Sequence, residues 1–93
     1  MTARTRAAQD FIQRGTDFLK LELQTGLTMA DLASLDQPGS EQRARTQRHA
    51  REAYDTVVRL LPRFEIDEKP ERLIQERLSR LRAALQELGE KFA

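Results

Sequence analysis

The sequence has no cysteine, a single histidine and no long apolar run. The lack of cysteine excludes disulfides, thiol chemistry and zinc thiolate sites. A metal site at His49 would need two or three more ligands, and the only charged residues three or four positions from it are Arg45 and Glu52. No stretch approaches the roughly 20 apolar residues of a membrane span. We therefore expect no metal, no cofactor and no membrane segment.

A strong charge of either sign is also missing. Sixteen Lys and Arg face fifteen Asp and Glu, which gives a net charge of +1. So small a bias argues against a nucleic-acid partner or an anionic membrane. The first ten residues contain two arginines with no apolar segment behind them, which is not a secretory signal. Their arginine content leaves a transit peptide as the alternative to the cytoplasmic location that we expect.

Glycine and proline are scarce, and where they occur they divide the chain. Pro38 and Gly39 stop a first helix, and Ser40 can cap the next one. Asp67 can cap a third helix, where Pro70 is tolerated in the first turn. The pattern predicts one domain over 1–93 with helix 1 at about 5–35, helix 2 at about 41–62 and helix 3 at about 68–92.

Apolar residues recur at helical spacing in all three segments. In the second segment they are Ala50, Tyr54, Val57, Leu61 and Phe64. In the third they alternate steps of four and three through Ile74, Leu78, Leu81, Leu85, Leu88 and Phe92. Such stripes are typical of helices that bury one face against each other. With short connections they predict an all-α, up-down-up antiparallel three-helix bundle.

Two glycines, Gly15 and Gly26, fall on the apolar face of helix 1. Glycine within a helix costs about 0.5–1 kcal/mol relative to alanine, so both suggest close packing of a neighbour, within the bundle or in a homodimer. Thr28 and Asp31 could instead restart the helix after a break at Gly26. We favour one helix, because the apolar phase continues across Gly26.

The first turn also sets a register between helices 1 and 2. It places Gly15 opposite Leu61 and Gly26 opposite Ala50. In this register Glu22 lies opposite Tyr54, so a hydrogen bond from the Tyr54 hydroxyl to Glu22 or a nearby arginine is expected. Arg43 points to the interior side, where it could pair with Glu87.

Four of these residues have the spacing of a known repeat. Ala50, Tyr54, Val57 and Pro62 resemble the second helix of a tetratricopeptide repeat, and Gly26 with Met29 resembles part of its first helix. About a third of the chain takes part, but the connection is longer and no second repeat follows. The resemblance implies binding of a peptide or partner helix in a groove between helices.

Two further resemblances concern the predicted shape of the chain and the sequence of three of its segments. Its predicted shape and length are similar to those of the microtubule-interacting-and-transport domain. Its amino-acid sequence is similar to that of small, uncharacterised bacterial helical proteins in three segments, Leu23–Ala33, Ala50–Phe64 and Leu85–Glu90. The first resemblance also implies binding of partner helices, and the second implies no activity.

A basic cluster at the start of helix 2 is the most conspicuous polar feature. Arg45, Arg48, His49 and Arg51 fall on the side away from Val57, which is typical of a solvated face. Acidic residues dilute the cluster and no aromatic residue interleaves with it for base stacking. A weak nucleic-acid or phosphate binder is the alternative function that this face suggests.

An apolar surface favours a different function. Phe11, Phe18 and Leu21 flank the core stripe of helix 1, and Met29 with Leu35 lies near its other end. Exposed apolar surface of this kind favours binding of a protein or peptide, including a second copy as a homodimer. Because no serine has a histidine within sequence reach, we expect a non-enzymatic interaction or self-assembly module.

Overall fold

A computed structural model describes residues 5–93, and in that range all regular structure is helical. Its elements are α1 at Arg6–Leu35, α2 at Glu41–Leu60, a 3₁₀ turn at Leu61–Arg63 and α3 at Glu68–Glu87. The three helices pack against each other, so the predicted all-α three-helix bundle is confirmed. The first four residues of the predicted 1–93 domain lie outside the described range.

Helix α1 is a single helix of 30 residues. Its start is fixed by Thr5, whose hydroxyl oxygen accepts a hydrogen bond from the Ala8 backbone N–H at 3.1 Å. The helix passes through Gly26 without a break, so Thr28 and Asp31 do not start a new helix. The first buried residue is Ile12, which means that the first turns of α1 extend beyond the core.

The first connection has the predicted chemistry. Gly39 adopts a φ of 82°, a conformation that side chains with a Cβ rarely take. Ser40 then caps α2, because its hydroxyl oxygen accepts from the Arg43 backbone N–H at 3.1 Å. Arg43 itself does not pair with Glu87 among the described residues: its guanidinium lies 3.5 Å from the carbonyl oxygen of Asp36.

Helix α3 ends at Glu87, five residues before the predicted end near 92. Gly89 has a φ of 98°, and its N–H donates to the Gln86 carbonyl at 3.0 Å. The Glu90 N–H donates to the Leu85 carbonyl at 2.9 Å. This pair of hydrogen bonds is the Schellman motif, which closes a helix at a glycine. The segment after Gly89 therefore leaves the helix axis.

The core runs along the middle of the bundle and draws on all three helices. Its largest fully buried side chains are Leu19, Leu23, Val57, Ile74, Leu81 and Leu85. Thr16 is the one buried polar side chain among the described residues, and its hydroxyl donates to the Ile12 carbonyl at 2.9 Å. Among the described residues, every buried side-chain nitrogen or oxygen atom thus has a hydrogen-bond partner.

The register between α1 and α2 differs from the prediction by three residues. A Cβ at Gly15 would lie 3.3 Å from the Phe64 ring, and one at Gly26 would lie 3.0 Å from Ala53. The register expected from the sequence places Leu61 and Ala50 at these positions. The predicted hydrogen bond between Tyr54 and Glu22 is not formed, and the Tyr54 ring packs edge-on against Phe92 with the centroids 4.9 Å apart. The register follows packing at Gly26, where α3 also approaches.

Candidate interaction surface

One side of α1 carries a second stripe of residues that does not face the core. We call it the outer face. Its members are spaced alternately three and four residues apart: Phe11, Arg14, Phe18, Leu21, Thr25, Thr28, Leu32 and Leu35. All eight are exposed. Alternating steps of three and four keep residues on one side of a helix, as in the contact seam of a coiled coil.

The outer face holds most of the large apolar side chains that the bundle leaves exposed. Of the six such residues among those described, five lie on it: Phe11, Phe18, Leu21, Leu32 and Leu35. Leu35 is 83% exposed and Phe11 is 74% exposed. A surface helix normally presents polar side chains opposite its core stripe. Helix α1 instead has one apolar stripe toward the core and another toward its surroundings.

Three half-buried residues separate the outer face from the core. They are Gly15, Glu22 and Met29, which follow one another at steps of seven. Met29 packs partly against the core. Of the four apolar residues predicted as an interaction surface, Phe11, Phe18 and Leu21 thus lie on the outer face, and Met29 lies at its border.

A groove opens at one end of the outer face. Phe11, Ile12 and Phe18 line it from α1, and Phe64 lines it from the segment after α2. Its volume is about 360 Å³. The ring of Phe64 can approach α1 closely because Gly15 has no side chain. A groove with walls of this kind can receive an apolar side chain of a partner.

The four basic residues predicted for the surface of α2 have two different environments. Arg45, Arg48 and His49 are exposed. Arg51 is partly buried and holds the segment after α3: it binds Glu90 at 3.1 Å and lies 4.1 Å from the centroid of the Phe92 ring. It also binds Asp55 at 3.1 Å. The Arg51 side chain therefore connects α2 to the segment after α3 and is not part of a solvated face.

The pKa of Arg51 reflects the same contacts with Asp55 and Glu90. Desolvation by itself would lower the pKa of Arg51, but hydrogen bonds and charges of Asp55 and Glu90 outweigh it and raise the pKa. An open cavity of about 550 Å³ lies beside it and is lined by residues of both signs, among them Arg48, Glu52 and Glu90. This cavity therefore lacks the uniform positive charge that would attract a phosphate.

Leu32 belongs to the outer face and was missed from the sequence. The signal was present, since residues 11, 18, 25 and 32 follow one another at steps of seven. That spacing was hidden because the core stripe of the same helix has a similar period. Two apolar stripes on one helix are easily read as one broad stripe.

Other kinds of site have little support in the part of the chain that the structure describes. Within residues 5–93, no three His, Asp or Glu side chains are grouped so that they could hold a metal ion. None of the helices described there combines the length and apolar character needed to cross a bilayer. No protein-family model matches the chain, and comparisons with curated proteins and with solved structures give no match either.

Proposed function

We propose that this chain is a non-enzymatic protein–protein interaction module that binds its partner through the outer face of α1. The observation that carries the proposal is the row of five exposed apolar side chains at coiled-coil spacing. Burying a leucine or phenylalanine side chain fully is worth about 1.5–3 kcal/mol. Two exposed apolar patches on one helix face, separated by two threonines, are typical of a binding site for another protein.

The resemblances to a tetratricopeptide repeat and to the microtubule-interacting-and-transport domain are consistent with this role by analogy only. Modules of those kinds bind helices or peptides between or beside their own helices. The similarity to small bacterial helical proteins and the cytoplasmic location are part of the proposal. They rest on the sequence patterns already described.

A photo-crosslinking experiment tests the proposal. A benzophenone amino acid replaces Phe18, and in a matched control it replaces Gln75, which is exposed on α3. Both proteins are irradiated in an extract of the source cell, and their adducts are compared on a gel. We expect a discrete adduct from position 18 and none from position 75. Equal adducts from both positions, or none from either, would contradict the proposal.

A weak phosphate or nucleic-acid binder is the second candidate. It is favoured by Arg45, Arg48 and His49, which are exposed on one helix and make no ion pair among the described residues. It ranks second because Arg51 is neutralised by Asp55 and Glu90. Binding to heparin that weakens steeply with salt would support it, and replacing Arg45 and Arg48 by glutamine should then remove the salt dependence.

A further inference from the structure

We infer that the partner of the outer face is a second copy of this chain, with the two α1 helices packed antiparallel. The inference rests on the proposed function, because it names the occupant of the same face. It is argued from the order of residues along that face, from the charges beside it and from the groove at its end.

Along the outer face over 18–35, apolar and polar residues follow the same order in both directions. Two apolar residues come first, two threonines follow and two leucines come last: Phe18 and Leu21, Thr25 and Thr28, Leu32 and Leu35. An antiparallel copy centred between residues 26 and 27 pairs every apolar residue with an apolar one. The two threonines then face the two threonines of the copy. The face is thus complementary to itself.

This alignment also buries the exposed leucines against apolar residues of the second copy. Leu21 faces Leu32 of the second copy, and Phe18 faces Leu35 of the second copy. Leu35 is the most exposed large apolar side chain among the described residues. In the pair it lies next to the groove between Phe11, Phe18 and Phe64. By symmetry, the same contact forms at both ends of the interface.

Charges beside the face favour the antiparallel over the parallel arrangement. A parallel pair in register would set Arg14 against Arg14 of the copy and would place Asp17 beside Glu22. Both contacts bring like charges together, Arg14 within the seam itself and Asp17 with Glu22 at the flanking positions that set helix orientation in coiled coils. The antiparallel pair places Gln24 beside Asp31, where the amide can donate a hydrogen bond to the carboxylate.

Disulfide trapping tests the orientation and the register together. The chain has no cysteine of its own, so Thr25→Cys and Thr28→Cys proteins report only on designed contacts. Equal amounts of the two proteins, one of them isotopically heavy, are mixed and oxidised mildly. Mass spectrometry then counts the disulfide-linked pairs. Random pairing would make half of them mixed, whereas the antiparallel alignment should make the mixed pair dominate.

Other outcomes identify which statement is wrong. A parallel pair would give mainly Thr25→Cys with itself and Thr28→Cys with itself. A shift of one heptad would move the two sulfurs about 10 Å apart along the helix and would suppress the mixed pair. Adding Leu21→Glu to both proteins should abolish trapping, whereas adding Gln75→Glu should leave it unchanged.

Failure of self-association is distinguishable from failure of the proposed function. If the cysteine variants link no faster than Gln75→Cys, the outer face does not bind a second copy. A Phe18 photo-adduct with a different protein would then retain the interaction role and overturn only the inference. Absence of both the disulfide and the photo-adduct would overturn the two together.

Discussion

Replacing Gly26 by alanine should destabilise the bundle, although alanine is the better helix former. A Cβ at this position would lie 2.7 Å from a Leu81 methyl group and 3.0 Å from the Ala53 Cβ. Both neighbours are buried and cannot move aside freely. Overpacking typically costs about 1–3 kcal/mol, and we expect the upper half of that range here. The gain in helix propensity returns about 1 kcal/mol, so the free energy of unfolding should fall by about 1–2 kcal/mol.

Gly15→Ala is the matched control, since both glycines lie on the same helix. Its new Cβ would meet only the Phe64 ring, at 3.3 Å, and that ring is half-buried and can turn. We therefore expect Gly15→Ala to be neutral or stabilising by up to about 1 kcal/mol. Urea unfolding followed by circular dichroism, at one fixed protein concentration, measures both variants.

The result that would refute this reasoning is equal stabilisation of both variants. It would mean that α1 does not approach Ala53 and Leu81 at Gly26. A partial rescue by Leu81→Val in the Gly26→Ala background would identify the clash directly. That substitution shortens the side chain that the new Cβ meets, so the two changes should be less destabilising together than their sum.

Three further substitutions test local features of the fold. Ser40→Ala should lower the free energy of unfolding by about 1 kcal/mol because α2 loses its cap, whereas Ser79→Ala, at an exposed position of α3, should change it little. Arg51→Ala should release the segment after α3 and change the fluorescence of Tyr54, the only tyrosine; an unchanged spectrum would contradict the described contact with that segment. Gly89→Ala should cost about 1 kcal/mol in thermal unfolding, because its φ of 98° disfavours a Cβ.

The fold class could be predicted because each helix carries its own signal. The third helix has an unbroken alternation of apolar residues, and the first connection contains Pro38, Gly39 and Ser40 together. These signals are local, and helix boundaries at Leu35 and Glu41 follow from them. Periodicity and punctuation therefore determine the number of helices and their order.

What depended on tertiary packing could not be predicted in the same way. The register of α1 and α2 is set at Gly26, where Leu81 of a third helix also contacts the site. The end of α3 was misplaced because Leu88 and Phe92 continue its apolar spacing, while Gly89 between them closes the helix. The helix ends despite this apolar spacing because Gly89 adopts a positive φ. In that conformation the N–H groups of Gly89 and Glu90 can bond to the last carbonyl groups of α3.

The role of Arg51 depends on where α3 ends. The sequence predicts a solvated face for Arg51 because it lies on the side of α2 away from Val57. Once α3 ends at Glu87, the following segment can fold onto α2 and bind Arg51. The exposure of Phe11, Phe18 and Leu21 depends only on their position around α1. The apolar spacing of the sequence is therefore enough to predict that they lie outside the core stripe.

The most direct test of the account is the molar mass of the intact protein in solution. Light scattering should be measured over roughly a hundredfold range of concentration, because association follows mass action. We predict a rise from 10.7 kDa toward twice that mass for the intact protein, and no rise for Leu21→Glu. A constant mass of 10.7 kDa at every concentration would contradict self-association through the outer face.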